Sequence, residues 1–127
     1  MMKRSVINTN NAPAAVGPYS QAIRVGDLLF VSGQLPINPQ TGEMVPADIE
    51  SQTKQVLANL QAILNSQNLT ADNVAKVTIF LTNMSDFATV NALYAQMFTK
   101  YPPARECIAV AGLPKGADVE ISLIAAF

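Results

Sequence analysis

The chain has 127 residues and a mass of 13.5 kDa, which at roughly 100 to 200 residues per domain leaves room for one domain spanning 1–127. It is 50% hydrophobic but only 13% charged, against roughly 25% charged in an ordinary soluble domain, so composition predicts a surface that is partly covered. With 8 Lys+Arg against 9 Asp+Glu the net charge is −1, which offers no electrostatic footprint for a phosphate backbone and makes nucleic acid an unexpected partner. There is no histidine and Cys107 is the one cysteine. That excludes a zinc site built from His or Cys, a His-based triad and an intramolecular disulfide. Lys3, Arg4 and the small residues Ala12 to Ala15 are not joined by an apolar run of roughly 7 to 15 residues, so no signal peptide is read and a cytoplasmic location is expected. No stretch approaches the ~20 apolar residues of a membrane-spanning helix.

In chain order, a strand is expected near Ser5 to Asn8. A hairpin follows, Ala22 to Val25 and Leu28 to Ser32, turning at Gly26 and Asp27, a pair suited to positive φ. Pro36, Asn38, Pro39, Gly42 and Pro46 punctuate a loop. Asp48 then caps a helix over 49–67, in which Ile49, Val56, Leu57, Leu60, Ile63 and Leu64 form one apolar stripe. From Ala75 to Thr82, Ala75, Val77, Ile79 and Leu81 point one way and Lys76, Thr78, Phe80 and Thr82 the other, which predicts a strand. Ser85 offers the cap of a second helix over 86–99, with Phe87, Val90, Tyr94, Met97 and Phe98 on its stripe and Asn91 on that same stripe. Pro102 and Pro103 end it. Two strands close the chain, Glu106 to Ala111 and Val119 to Ala126, joined by a turn with Pro114 and Gly116.

The expected class is α+β, with a mixed sheet of about six strands and two helices. Helices about 10 Å wide cover one face of strands spaced about 4.8 Å apart, and leave the other. That face would carry Glu120, Ser122, Ile124, Ala126 and Phe80, too apolar to stand in water, so other subunits are expected to cover it.

Chemistry has few candidates. A period of two puts Arg105 and Cys107 on one side of their strand and Ile108 and Val110 on the other, and the latter pair reads as core. Arg105 follows Pro102, Pro103 and Ala104, so its planar fork starts from a rigid strand entry, to grip a carboxylate or to make a surface salt bridge. Glu120 stands in a strand that reads as buried, where a carboxylate is paired or put to use; it pairs with Arg105, holds a water, or simply faces outward from an edge strand. The Asn91 amide needs a partner, a strand-end backbone group or a ligand. Cys107 reads as a small core hydrophobe, Tyr19 as a surface aromatic or a lid. Ser32, Gly33 and Gln34 end a strand, where Gly33 lets a ligand approach the backbone.

Together, Gly17-Pro18-Tyr19-Ser20-Gln21-Ala22, Ser32-Gly33-Gln34-Leu35-Pro36, Asn38-Pro39 with Thr41-Gly42-Glu43, Val90-Asn91, Pro103-Ala104-Arg105, Cys107 and Leu113-Pro114-Lys115 resemble the RidA (YjgF) family of imine and enamine deaminases, nearly end to end. The resemblance implies a chorismate-mutase-like protomer assembled as a homotrimer, with a ligand site in each cleft between subunits. It implies hydrolysis of 2-iminoacids such as 2-iminobutanoate and 2-iminopropanoate, released by pyridoxal-phosphate-dependent dehydratases, to 2-oxoacids and ammonia. By the same resemblance Arg105 binds the substrate carboxylate beside the backbone of Cys107, and Glu120 orients the attacking water. Tyr19, Ser32, Gly33 and Asn91 match further pocket positions, and Cys107 lines the pocket without acting as a nucleophile. Because a protonated imine is already electrophilic, such a site needs neither metal nor cofactor.

Three features depart from the family pattern: a short stretch between Met97 and Arg105, Glu106 where a small hydroxyl residue is usual, and Ser122 in place of a common acidic residue. They put substrate range in question. The rival expectation is a non-enzymatic module that binds or senses 2-oxoacids or similar carboxylates, using Arg105 without needing Glu120.

Overall fold

The computed structural model describes residues 3–127 and consists of six strands and two helices in those residues. In order these are β1 (Arg4–Ile7), β2 (Ala22–Val25), β3 (Leu28–Gln34), α1 (Ile49–Ser66), β4 (Val74–Leu81), α2 (Phe87–Met97), β5 (Ala104–Ala109) and β6 (Val119–Ala126). The sheet runs β1-β2-β3-β6-β4-β5. All its neighbours are antiparallel except β4 and β5, a parallel pair that needs a crossover, which α2 supplies. This is the expected α+β class, with one mixed six-stranded sheet and two helices.

Strong periodicity decides the central elements. On β6, Val119, Ile121, Leu123 and Ala125 are buried while Glu120, Ser122, Ile124 and Ala126 are half-buried. The inner set packs with Val77, Ile79 and Leu81 of β4 and with Val56, Leu57, Leu60, Ile63 and Leu64 of α1 in one core. Burying each such side chain contributes roughly 1.5–3 kcal/mol, so packing rather than intrinsic propensity holds α1 in place. Asp48 caps it as expected, its Oδ1 accepting from Ser51 N at 2.7 Å. Buried amides of α1 then fix loops near the sheet ends. Asn59 Nδ2 donates to Leu35 O and Ile37 O, and Gln52 Oε1 accepts from Asp118 N at 2.9 Å.

Both helices lie on one face. Val90, Tyr94 and Phe98 join the core that α1 builds. The opposite face exposes apolar side chains, Val6 at 67% and Phe30 at 41% among them, with Ile23 and Ile124 in register between neighbouring strands.

Three expectations are corrected. Ile108 and Val110 are not core: β5 is the edge strand, Ile108 sits beside Phe80 on the open face at 43% exposure, Val110 is half-buried beyond the end of β5, and it is Cys107, beside Ile79, that packs against the core. The alternation was right and the covered side was inverted. Ser85 does not cap α2, because Met84–Asp86 forms a 3-10 turn in which Ser85 hydrogen-bonds to Asn83 Oδ1 through both its N–H and its hydroxyl. α2 is also shorter than 86–99, since at Phe98 the backbone has already left helical geometry (φ −106°, ψ 72°) ahead of the two prolines.

Candidate functional site

Two clusters of polar side chains stand out, and each is built by an irregularity in the fold. In the first, β3 loses register with β6 between Val31 and Gln34, so Ser32 and Gly33 together oppose one residue of β6. Such a bulge re-aims the strand locally. It turns Gly33 toward Glu120: a Cβ at position 33 would run into the Glu120 carboxylate. Gly33 is therefore glycine for space and not for φ, which lies outside the left-handed region. The sequence reading expected a ligand to approach here; what approaches within the chain is Glu120 itself.

Tyr19, Ser32, Gly33, Lys115 and Glu120 line a common cleft of about 470 Å³. One wall is the segment ahead of β2, tied down by buried Gln21, whose Nε2 donates to Thr9 O at 2.9 Å and Pro13 O at 2.8 Å and whose Oε1 accepts from Thr9 N at 2.7 Å. Ser32 Oγ donates to Ser20 O at 2.6 Å, joining β3 to the loop that carries Tyr19. Tyr19 is exposed, its hydroxyl accepting a long contact from Val16 N at 3.4 Å. At the mouth, Lys115 takes a left-handed conformation (φ 59°, ψ 20°) in the 3-10 turn Pro114–Gly116. The Glu120 carboxylate has no ion pair or hydrogen bond among the described residues, and burial pushes its pKa above the ordinary 4.5.

The second cluster lies where β5 passes α2. Arg105 is exposed, and its Nη1 donates to Asn91 Oδ1 at 2.7 Å. The guanidinium carbon sits 4.8 Å from the Tyr94 ring centroid and 5.5 Å from that of Phe87. Neither ion pair among the described residues involves Arg105, so the salt bridge allowed by the sequence is not made among them. Asn91 satisfies its amide oxygen on this side chain, an outcome the sequence reading did not weigh. Cys107, one pleat along on the same side, has its thiol pKa raised by burial, only partly countered by Arg105, a shift that disfavours the thiolate.

The structure thus brings Tyr19, Ser32, Gly33 and Glu120 together, and separately Asn91, Arg105 and Cys107. It does not join the two groups within one chain. Arg105 lies in register with buried Val77, on the helix side, and Glu120 with Phe80, on the open side two strands away. The pairing of Glu120 with Arg105 that the sequence allowed is therefore not formed. Sequence reasoning missed Lys115, Phe87 and Tyr94 as site residues. The last two gave only a core signal, because their helical spacing is that of an ordinary buried stripe. No helix of the described residues is long and apolar enough to cross a membrane, and among those residues no group of three or more His, Cys, Asp or Glu could hold a metal ion.

These features define a class: a small α+β protein that presents, beside one helix, an arginine with no ion pair among the described residues and, over a glycine bulge, a desolvated carboxylate likewise without one. A family model described as Endoribonuclease L-PSP matches residues 9–127. The chain belongs to that family, the YjgF/RidA/RutC family. A 2-iminobutanoate/2-iminopropanoate deaminase of Escherichia coli K12 is 48% identical over 122 residues, covering 94% of each chain. Among solved structures, a Rid-family protein of Yersinia pestis has a TM-score of 0.96 at 51% identity, covering 98% of this chain and 100% of the other. Escherichia coli TdcF, solved with bound serine, has a TM-score of 0.91 at 42% identity, covering 97% and 98%. Names across the relatives differ, from deaminase to endoribonuclease and translation initiation inhibitor.

Proposed function

We propose that this protein hydrolyses 2-iminoacids, such as 2-iminobutanoate and 2-iminopropanoate, to 2-oxoacids and ammonia, at sites completed between copies of the chain in a homotrimer. The observation that carries the reading is the unmatched pair of charges: among the described residues, Arg105 has no carboxylate and Glu120 no cation, and they lie on opposite faces of one sheet. A second copy seated on the apolar open face brings the Arg105 of one subunit to the Glu120 cleft of the next. The deaminase among the relatives and the serine-bound structure support small amino-acid-like ligands.

In this mechanism Arg105 grips the substrate carboxylate through its free N–H donors, beside the backbone of Cys107 and the Asn91 amide. Tyr19, Ser32 and Gly33 line the far wall. Glu120 holds a water and takes its proton as the oxygen adds to the iminium carbon, giving a neutral amino group on a tetrahedral carbon. The protonated Glu120 returns that proton to nitrogen; as the C–N bond breaks and ammonia departs, the Glu120 carboxylate takes the proton of the hydroxyl, leaving the 2-oxoacid, and passes it to ammonia, which leaves as ammonium. A carboxylate whose pKa is raised by burial suits both halves of this transfer. The substrates are the reactive products of pyridoxal-phosphate-dependent dehydratases, and the protein acts on them without a cofactor of its own.

The test generates 2-iminobutanoate from threonine with a dehydratase and follows 2-oxobutanoate release in competition with semicarbazide trapping. Wild type accelerates release and Arg105→Ala does not. If neither accelerates it while the wild type binds 2-oxobutanoate, the chain is a binding or sensing module. Glu120→Gln separates the same two readings, since an enzyme loses turnover while keeping ligand affinity. An endoribonuclease reading draws no support from composition, since a net charge of −1 supplies no overall attraction for a phosphate backbone.

A further inference from the structure

We propose that Tyr94, seconded by Phe87, is a positioning residue for Arg105, and that its ring face fixes the guanidinium and so sets the affinity for a carboxylate ligand. This rests on the reading of Arg105 as the carboxylate anchor. Arg105 leaves an exposed edge strand, where a long flexible side chain ordinarily samples many rotamers. Three groups restrain it: the Phe87 ring, the Asn91 amide and the Tyr94 ring. Positions 87, 91 and 94 are spaced by four and three, so they form one stripe of α2. Arg105 lies along that stripe.

All three partners are neutral. An acidic partner would hold the guanidinium as firmly but cancel its charge and occupy its fork, whereas two aromatic faces within about 6 Å and one amide oxygen leave the charge and most donors available. Of the three, Tyr94 is the fixed element. It is buried, its ring is braced by Phe98 at 4.5 Å between centroids, and it lies nearer the guanidinium than Phe87. Its hydroxyl is buried without a hydrogen-bond partner among the described residues, so the hydroxyl is not what anchors the ring. The ring itself is the useful part.

The experiment compares Tyr94→Phe, which keeps the ring face, with Tyr94→Leu, which removes it, in the full assembled protein. Affinity for 2-oxobutanoate is read by calorimetry, and kcat and KM in the dehydratase-coupled assay. Tyr94→Leu is expected to weaken binding and raise KM about tenfold with kcat within about twofold, the scale of a partly desolvated cation–π contact, and Tyr94→Phe to match wild type. Wild-type affinity in Tyr94→Leu, a fall in kcat without a rise in KM, or equal damage in Tyr94→Phe overturns the proposal. Should Tyr94→Leu fail to fold, Phe87→Leu, at a half-buried position, must show the same rise in KM in smaller measure, and its absence is equally decisive. If Arg105→Ala binds 2-oxobutanoate as tightly as wild type, the anchor reading itself has failed.

Discussion

The Glu120 carboxylate occupies the space that a side chain on residue 33 would need. Glycine at 33 and glutamate at 120 are therefore one device, in which the missing Cβ lets a charged group fold back against a strand bulge. Gly33→Ala is expected to keep the fold, because the backbone there is ordinary and the carboxylate is the free end of a flexible side chain. Overpacking of this kind should cost about 1 kcal/mol, while the displaced carboxylate lowers turnover at least tenfold. In a Glu120→Ala background the stability cost should vanish, which thermal unfolding of the four variants would show.

Glu120 also predicts a pH dependence. Its pKa is raised by burial, so the folded protein binds this proton more tightly than the unfolded chain does. Stability from that proton is complete below the ordinary value of 4.5 and is lost as pH rises through the folded-state pKa. Glu120→Gln should therefore be more stable than wild type at neutral pH and lose the advantage on acidification, while turnover disappears. Urea melts across pH 3 to 8 would check this; an advantage that persists at low pH would point to a packing effect instead.

Where the sequence was legible, a strong period met a strong constraint. Val119, Ile121, Leu123 and Ala125 alternate with Glu120, Ser122, Ile124 and Ala126 because one face packs on helices, and the eight-residue strand is found with its expected bounds. β5 shows the limit. A period of two separates Cys107 from Ile108 but does not say which side is covered, and that depends on β5 being the edge strand parallel to β4, a tertiary fact. The same holds for the site. Arg105 was legible as a fork at a rigid strand entry and Glu120 as a charge in an apolar strand, but their placement on opposite faces follows from register with β4, where Arg105 pairs with inward Val77 and Glu120 with outward Phe80. The bond from Arg105 to Asn91 follows from how α2 crosses beside β5, which the spacing of the chain does not announce.

Arg105→Lys keeps the charge and removes the planar fork. Because Arg105 is exposed and makes no ion pair among the described residues, the fold should be unaffected, with Tm within about 1 °C of wild type given near-zero cost for exposed substitutions. With Arg105 as the proposed carboxylate anchor, the loss of one charge-assisted hydrogen bond to substrate, worth roughly 1.5–3 kcal/mol, should lower kcat/KM by about ten- to a hundredfold. Paired measurement of Tm and turnover checks both halves.

Thr53 on α1 is fully buried and its Oγ1 has no hydrogen-bond partner among the described residues. Thr53→Val replaces the hydroxyl by a methyl of the same shape and should raise stability by about 1 kcal/mol without touching activity, since an unmade buried hydrogen bond is a cost. Urea unfolding would reveal it as a higher midpoint at unchanged slope.

The proposed completion of the site between copies makes the sharpest prediction, because it can be tested without any structure of the assembly. If Arg105 of one subunit serves the Glu120 cleft of another, Arg105→Ala and Glu120→Ala should each be inactive alone yet restore activity when unfolded together and refolded as a mixture. In a closed ring each interface is intact only when its arginine comes from the Glu120→Ala chain and its glutamate from the Arg105→Ala chain. Random one-to-one mixing then yields about a quarter of wild-type activity, whatever the number of subunits in the ring. A site contained within one chain would give none. Activity near a quarter, appearing only after co-refolding and not on simple mixing of the folded variants, would establish that the arginine and the carboxylate kept apart by the sheet are brought together by a second copy.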